Sequence, residues 1–225
     1  MLGFDKNELD RAIHQKRRGK IIADYLQNNS EKKLQIGAQG SPMQGWLNVD
    51  ILPKTPDTAY MDATQKFPFE NNTFSYVFAE HMIEHITFDE GQLMLNECFR
   101  VLKPNGIIRL ATPNLDNMVK LLQEPTKQEH VEYIKCYVER NYVKTYPLLP
   151  SLQINELFYG FHHRFIHNIE SLSYILKKAG FTSVQSCEVG KSEYAALNNI
   201  EQHAKMMGEA NIYLLNNEGR EELYF

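Results

Sequence analysis

Cysteine is scarce in this chain of 225 residues, and its three positions follow no pattern. Cys98, Cys136 and Cys187 are odd in number and far apart, which excludes a disulfide framework and a cysteine-based metal spacing. A reducing, cytoplasmic setting is expected. A basic excess is also missing. Lys and Arg number 24 against 28 Asp and Glu, a net charge of −4, so no nucleic-acid partner is expected. The cluster Lys16-Arg17-Arg18-Gly19-Lys20 reads as a solvated helix face. No apolar run reaches membrane-spanning length and the first residues show no signal segment, so no membrane partner is expected either. The dinucleotide fingerprint Gly-x-Gly-x-x-Gly is absent as well. The length of 225 residues is enough for one α/β domain with a decorated edge.

The stretch Lys33 to Asp50, KLQIGAQGSPMQGWLNVD, carries the most information. Lys33 to Ile36 reads as a short buried strand, Gly37-Ala38-Gln39-Gly40 as a tight turn, and Leu47 to Ile51 as a second strand. In an open α/β sheet, ligands sit beyond the carboxyl ends of the strands, where strand order reverses. Glycine there lets the backbone approach a ligand closely. Asp50, at the end of the second strand, can accept from both hydroxyls of a ribose. A nucleoside-containing cofactor is therefore expected. Gln39 and Pro42 stand where a dinucleotide turn needs glycine, and Asp50 follows Gly37 by only 13 residues. A pyrophosphate would lose its close backbone contact and its helix N-terminus. Only ten residues separate Ile36 from Leu47, so the usual first crossover helix must be very short or missing.

With its glycine turn and acid in this register, the chain resembles the class I S-adenosylmethionine-dependent methyltransferases of the small-molecule kind. Two further strings carry the resemblance: DATQKFPF with FSYVFAEHMIEHI, and NECFRVLKPNGIIRLATPN. The resemblance covers residues 30–115 well and 160–190 loosely. It implies S-adenosylmethionine as cofactor and S-adenosylhomocysteine as product. Cofactor contacts are implied at Gly37, Ala38, Gln39, Gly40, Asp50, Ile51, Asp62, Ala63 and Glu80. It also implies a Rossmann-like α/β sheet of seven mostly parallel strands in the order 3-2-1-4-5-7-6, with helices on both faces.

Local patterns fill in that frame. A helix is expected over Asp5 to Gln27, strands at Ala59–Met61, Phe74–Ala79 and Ile107–Thr112, and a helix from Phe88 to Leu102 ended by Lys103-Pro104-Asn105-Gly106. Asn168-Ile169-Glu170-Ser171 should cap a helix that ends at Gly180. Ser183 to Val189 is expected as strand six, Tyr194 to Met207 as mostly helix, and Glu222 to Phe225 as the start of strand seven. Residues 115–161 fit no core pattern. They are expected to form a helical insertion within the single domain 1–225, lying over the site as an acceptor-binding lid, with Tyr133, Tyr137, Tyr142 and Tyr146 among its polar residues.

Methyl transfer to a hydroxyl needs a base, and histidine suits that task near neutral pH. His81 follows the fourth strand directly; His162 and His163 end the insertion. These three are the expected catalytic residues, and the expected acceptor is a small polar metabolite of the sugar class. His81-Met82-Ile83-Glu84-His85 also spells H-x-x-E-H, the inverted zinc-protease motif. Its third ligand is not evident and the string begins at a strand end, so no metal ligands are assigned. Two alternatives stand beside the methyltransferase: a protein that binds the cofactor without catalysis, favoured by Gln39 in the turn, and a nicotinamide-dependent oxidoreductase, disfavoured by the missing glycines.

Overall fold

The structure, a computed structural model, describes residues 6–141 and 147–202. Five strands form one sheet: β1 (Lys33–Ile36), β2 (Leu47–Asp50), β3 (Thr58–Tyr60), β4 (Phe74–Glu80) and β5 (Leu102–Ala111). Every pairing is parallel and the order is 3-2-1-4-5. This is a Rossmann-like α/β fold. Strand order reverses between β1 and β4, so the ligand crevice falls at the carboxyl ends of those two strands.

The two faces of the sheet are covered differently. On one face, helices α1 (Lys6–Asn28), α2 (Phe88–Val101) and α6 (Ile169–Ala179) bury Leu34, Ile36, Val49, Val77 and Ala79 against Ile22, Met94, Leu95, Leu172 and Ile175. Successive strand residues point to opposite faces. Phe78 and Tyr76 therefore meet the other face, where Trp46, Leu197 and Ile200 cover them. No α-helix serves there among the described residues. The β1–β2 crossover is irregular throughout, as the short spacing requires. Its backbone is held by two buried side chains from the sheet. Gln35 Oε1 and Asn48 Oδ1 both accept from Met43 N–H, at 3.1 and 2.8 Å, and their amide groups donate to the carbonyls of Ser41, Met43 and Trp46. The segment from Glu188 onward is held by buried Arg109, which pairs with Glu201 and donates to the Lys191 and Glu188 carbonyls.

Helix ends follow the expected chemistry. Thr87 and Glu90 form a capping box on α2, and Asn168 and Ser171 form one on α6, which ends at Gly180 with φ +114°. The strands differ in detail from expectation. β5 begins at Leu102, because Lys103-Pro104-Asn105-Gly106 is absorbed as a bulge in the pairing with β4 instead of separating helix from strand. Residues 183–189, expected as strand six, carry no strand pairing. The helix expected from Tyr194 to Met207 is a single 3-10 turn, Ala195–Leu197, as far as residue 201; Gln202 is helical, and the rest of that span lies outside the described residues. Strand seven, expected at Glu222–Phe225, lies outside the described residues.

The insertion contains α3 (Leu115–Gln123), α4 (Gln128–Asn141), α5 (Pro150–Asn155) and a π-helical turn, Glu156–Gly160. It has its own apolar centre, built from Met118, Leu121, Tyr133, Ile134, Val138 and Leu157. Tyr133 and Tyr137, expected to face an acceptor, are buried instead, 8% and 6% exposed. Tyr142 and Tyr146 lie outside the described residues.

Candidate active site

The carboxyl edge of the sheet has two halves. The first is the turn after β1. Gly37 takes φ +77°, and a Cβ there would lie 2.9 Å from Met82 Cγ, so both backbone conformation and space demand glycine. Gly37 and Ala38 N–H donate to the Val49 carbonyl at 2.9 and 3.1 Å, which folds the turn back onto β2. Asp50 closes it. Oδ2 accepts from Gln39 N–H at 2.8 Å and Oδ1 from Leu52 N–H at 2.7 Å. The carboxylate is thereby fixed, while each oxygen keeps lone-pair capacity for a further donor. Gln39 adopts φ +45°, a left-handed conformation uncommon outside glycine and asparagine. Beside the acid, Ile51 and Leu52 are 44% and 58% exposed, an apolar ledge at the edge where a flat ring can rest. Asp62 Oδ1 accepts from Thr64 N–H and Oγ1, at 2.9 and 2.7 Å, with Ala63 buried between them. Asp62 therefore closes its own turn, and Oδ2 has no hydrogen-bond partner among the described residues.

The second half lies beyond β4 and β5. His81 turns the chain off β4 with φ +49°. Such strained residues cluster at functional sites. A 3-10 turn, Ile83–His85, follows, and its Glu84 is fully buried. Glu84 Oε1 accepts from His81 Nδ1 at 2.9 Å, and Oε2 accepts from the Thr112 hydroxyl at 3.0 Å. Burial works to lower the His81 pKa, but the hydrogen bond to Glu84 and the charges of Glu84 and Glu80 outweigh it and raise it. Burial likewise works to raise Glu84, and His81 overrides it downward. The two form a hydrogen-bonded pair in which Glu84 is buried and His81 half-buried. His163 comes in from the end of the insertion; its ring centroid is 4.7 Å from that of His85 and its pKa is lowered, first by burial.

The structure thus gathers His81 and His163 around one carboxylate. His162 is exposed, with φ +61°, on the outer side of the same segment. Gly37, Ala38, Gln39, Gly40, Asp50 and Ile51 share the other half, with Asp62 and Ala63 past β3. Glu80 ends β4 at the same edge, and its Oε2 accepts from Gln202 N–H at 2.8 Å. Sequence reasoning missed Thr112, Gln35, Asn48 and the Arg109–Glu201 pair. Glu84 was visible only as part of the H-x-x-E-H string.

Residues 44–110, from the crossover through most of β5, match the family model described as a methyltransferase domain. The matched part includes Asp50, Asp62, His81 and Glu84, while the glycine turn lies just before it. No curated protein sequence matches the chain. Among solved structures it is similar to phosphoethanolamine N-methyltransferase 2 of Haemonchus contortus in complex with S-adenosyl-L-methionine, at 18% identity and a TM-score of 0.45, over 76% of this chain and 39% of that one. It thus spans about two fifths of that protein's length. It is also similar to an S-adenosylmethionine-dependent methyltransferase of Archaeoglobus fulgidus, at 17% identity and a TM-score of 0.43, over 92% of this chain and 88% of that one. No helix among the described residues is long and apolar enough to cross a membrane.

Proposed function

We propose that the protein binds S-adenosylmethionine at the carboxyl edge of its sheet and transfers the methyl group to an oxygen of a small polar acceptor of the sugar class. The observation that carries the cofactor is Asp50. Its carboxylate is held rigid by two backbone amides beside a glycine turn, next to an exposed apolar ledge. Two hydroxyls of a ribose meet such an acid well, and an adenine ring meets the ledge. The free Oδ2 of Asp62 supports a role for it as acceptor from the exocyclic amine of that ring. The turn has no helix N-terminus behind it for a pyrophosphate, which favours this cofactor over NAD.

In the transfer, the acceptor oxygen attacks the sulfonium methyl, the new C–O bond forms as the S–C bond breaks, and neutral S-adenosylhomocysteine leaves. The sulfonium is already a good leaving group, so alignment supplies most of the protein's contribution. The acceptor's proton passes to a histidine at this edge, and His81, directly after β4, is the assigned base. His162 and His163 approach from the insertion. Aromatic surface for a sugar is offered there by Tyr159 and Phe161, 78% and 37% exposed, in place of the buried Tyr133 and Tyr137.

Calorimetry with S-adenosylhomocysteine and NAD tests the cofactor: tight NAD binding with no response to the thioether would reject the reading. Transfer of a labelled methyl group is then measured across sugars, phenols, carboxylic acids and amines. Turnover of a sugar, lost in His81→Ala with cofactor affinity unchanged, is the expected result. Cofactor binding without turnover of any acceptor would leave a binding protein.

A further inference from the structure

We propose that Glu84, His85 and His163 bind a divalent transition-metal ion of the zinc class. The H-x-x-E-H string offers no third ligand on its own helix turn; the fold brings one from 78 residues further along. One carboxylate oxygen and two imidazole nitrogens, one from each of the three residues, lie within 4.8 Å of one another. Ligand atoms on one zinc ion stand roughly 3.3–4 Å apart, given bonds of about 2.0–2.2 Å. Small rotations of the two half-buried rings close the difference.

Three features make this a built site and not a chance meeting of side chains. The segment carrying His163 is locked to the turn carrying Glu84 through the backbone, since Arg164 and Phe165 N–H donate to the Glu84 carbonyl at 2.7 and 3.2 Å. The Glu84 carboxylate is oriented from outside by His81 and Thr112, the arrangement in which outer partners fix a metal-binding group. His163 Nδ1 is buried without a hydrogen-bond partner. A buried ring nitrogen in that condition is rare unless something fills the place. Two nitrogens and one oxygen suit zinc and its neighbours. They do not suit magnesium or calcium, which take oxygen ligands. Three protein ligands also leave a coordination position open. His81 is an outer partner here, hydrogen-bonded through Nδ1 to Glu84 and outside the cluster of three.

The proposal does not depend on the acceptor or on methyl transfer. The full chain is stripped with a chelator, checked for retained fold by circular dichroism, and titrated with ZnCl2 and CoCl2. One equivalent of zinc per chain, a raised melting temperature and a visible cobalt absorption band are expected. His85→Ala and His163→Ala should each weaken zinc at least tenfold. His162→Ala, next in the chain and exposed, should leave affinity unchanged. The cobalt spectrum of the unaltered protein stands even where a variant folds poorly. Absence of stoichiometric uptake by the folded chain would overturn the site. So would uptake that survives His163→Ala undiminished, or uptake abolished by His162→Ala.

Discussion

The two faces of the sheet solve one problem in two ways. On the helical face, α1, α2 and α6 satisfy their own backbone groups and present apolar stripes, so the contact is Leu34, Val77, Leu95 and Ile175 packed together. On the opposite face the covering chain is irregular among the described residues, and its backbone groups need partners that it cannot supply itself. The sheet supplies them through Gln35, Asn48 and Arg109, each buried. Side chains of strands thus replace the internal hydrogen bonds of a missing helix. This difference predicts where single substitutions hurt most: at buried polar pins on the irregular face and at apolar contacts on the helical one.

Arg109→Met breaks that comparison most forcefully. It leaves the Glu201 carboxylate buried without its guanidinium and removes two donors to the 188–191 backbone. Losing one member of a buried ion pair destabilises by about 3–5 kcal/mol. Urea denaturation should show that loss, and Glu201→Leu added to Arg109→Met should recover much of it. A loss similar to that of an exposed arginine would mean that the irregular face is not held this way.

A pH titration probes the helical side. His167 is fully buried between Phe88, Phe165 and α6, with Nδ1 against the Ser171 hydroxyl. Burial pulls its pKa down to about 4, against a smaller upward pull from Glu84. The unfolded chain, with an ordinary value near 6.5, binds the proton first as pH falls. His167 therefore contributes no penalty above pH ~6.5 and destabilises progressively as pH drops from there to about 4, by up to about 3 kcal/mol. The difference in stability between the metal-stripped protein and His167→Asn should follow that curve. A pH-independent difference would mean that the ring is charged or solvated in the folded state.

Asp50→Ala tests the edge that joins both faces. It removes the acceptor for Gln39 and Leu52 N–H and for the proposed ribose. Charge-assisted bonds are worth roughly 1.5–3 kcal/mol each, so affinity for S-adenosylhomocysteine should fall by one to two orders of magnitude in calorimetry. An unchanged affinity would remove Asp50 from the site.

The same contrast explains what could be read from the sequence. The glycine turn and Asp50 lie within one short stretch, and the missing crossover helix followed from the spacing of Ile36 and Leu47. The helices announced themselves by period and by caps such as Asn168 and Ser171. The pins did not, because Arg109 and Glu201 are 92 residues apart and no local pattern joins them. His163 likewise reaches Glu84 only through the fold. The tyrosines of the insertion misled for the opposite reason. Tyr133 sits at helical spacing on α4, and its ring is needed for the insertion's own centre, a packing role that composition cannot tell from ligand contact.

The smallest effect expected is at Arg164, and it sharpens the rule that burial, and not the presence of an ion pair, decides how much a pin matters. Arg164 Nη1 donates to Glu90 Oε2 at 2.8 Å, a bond as short as those made by Arg109 to the backbone. Its side chain is 51% exposed, however, and that of Glu90 is 32% exposed. Water and salt screen both charges, and exposed pairs contribute little. Glu90 is independently held by Thr87 N–H and Oγ1, at 2.8 and 2.9 Å, so the capping box on α2 persists without the arginine. The backbone bond from Arg164 N–H to the Glu84 carbonyl needs no side chain and keeps His163 in place. Arg164→Ala should therefore lower stability far less than Arg109→Met does, and by less still in high salt. Zinc affinity should stay at the unaltered value. A loss comparable to that of Arg109→Met would show that the insertion's end is held to the domain by this side chain instead of by the backbone bonds at Glu84.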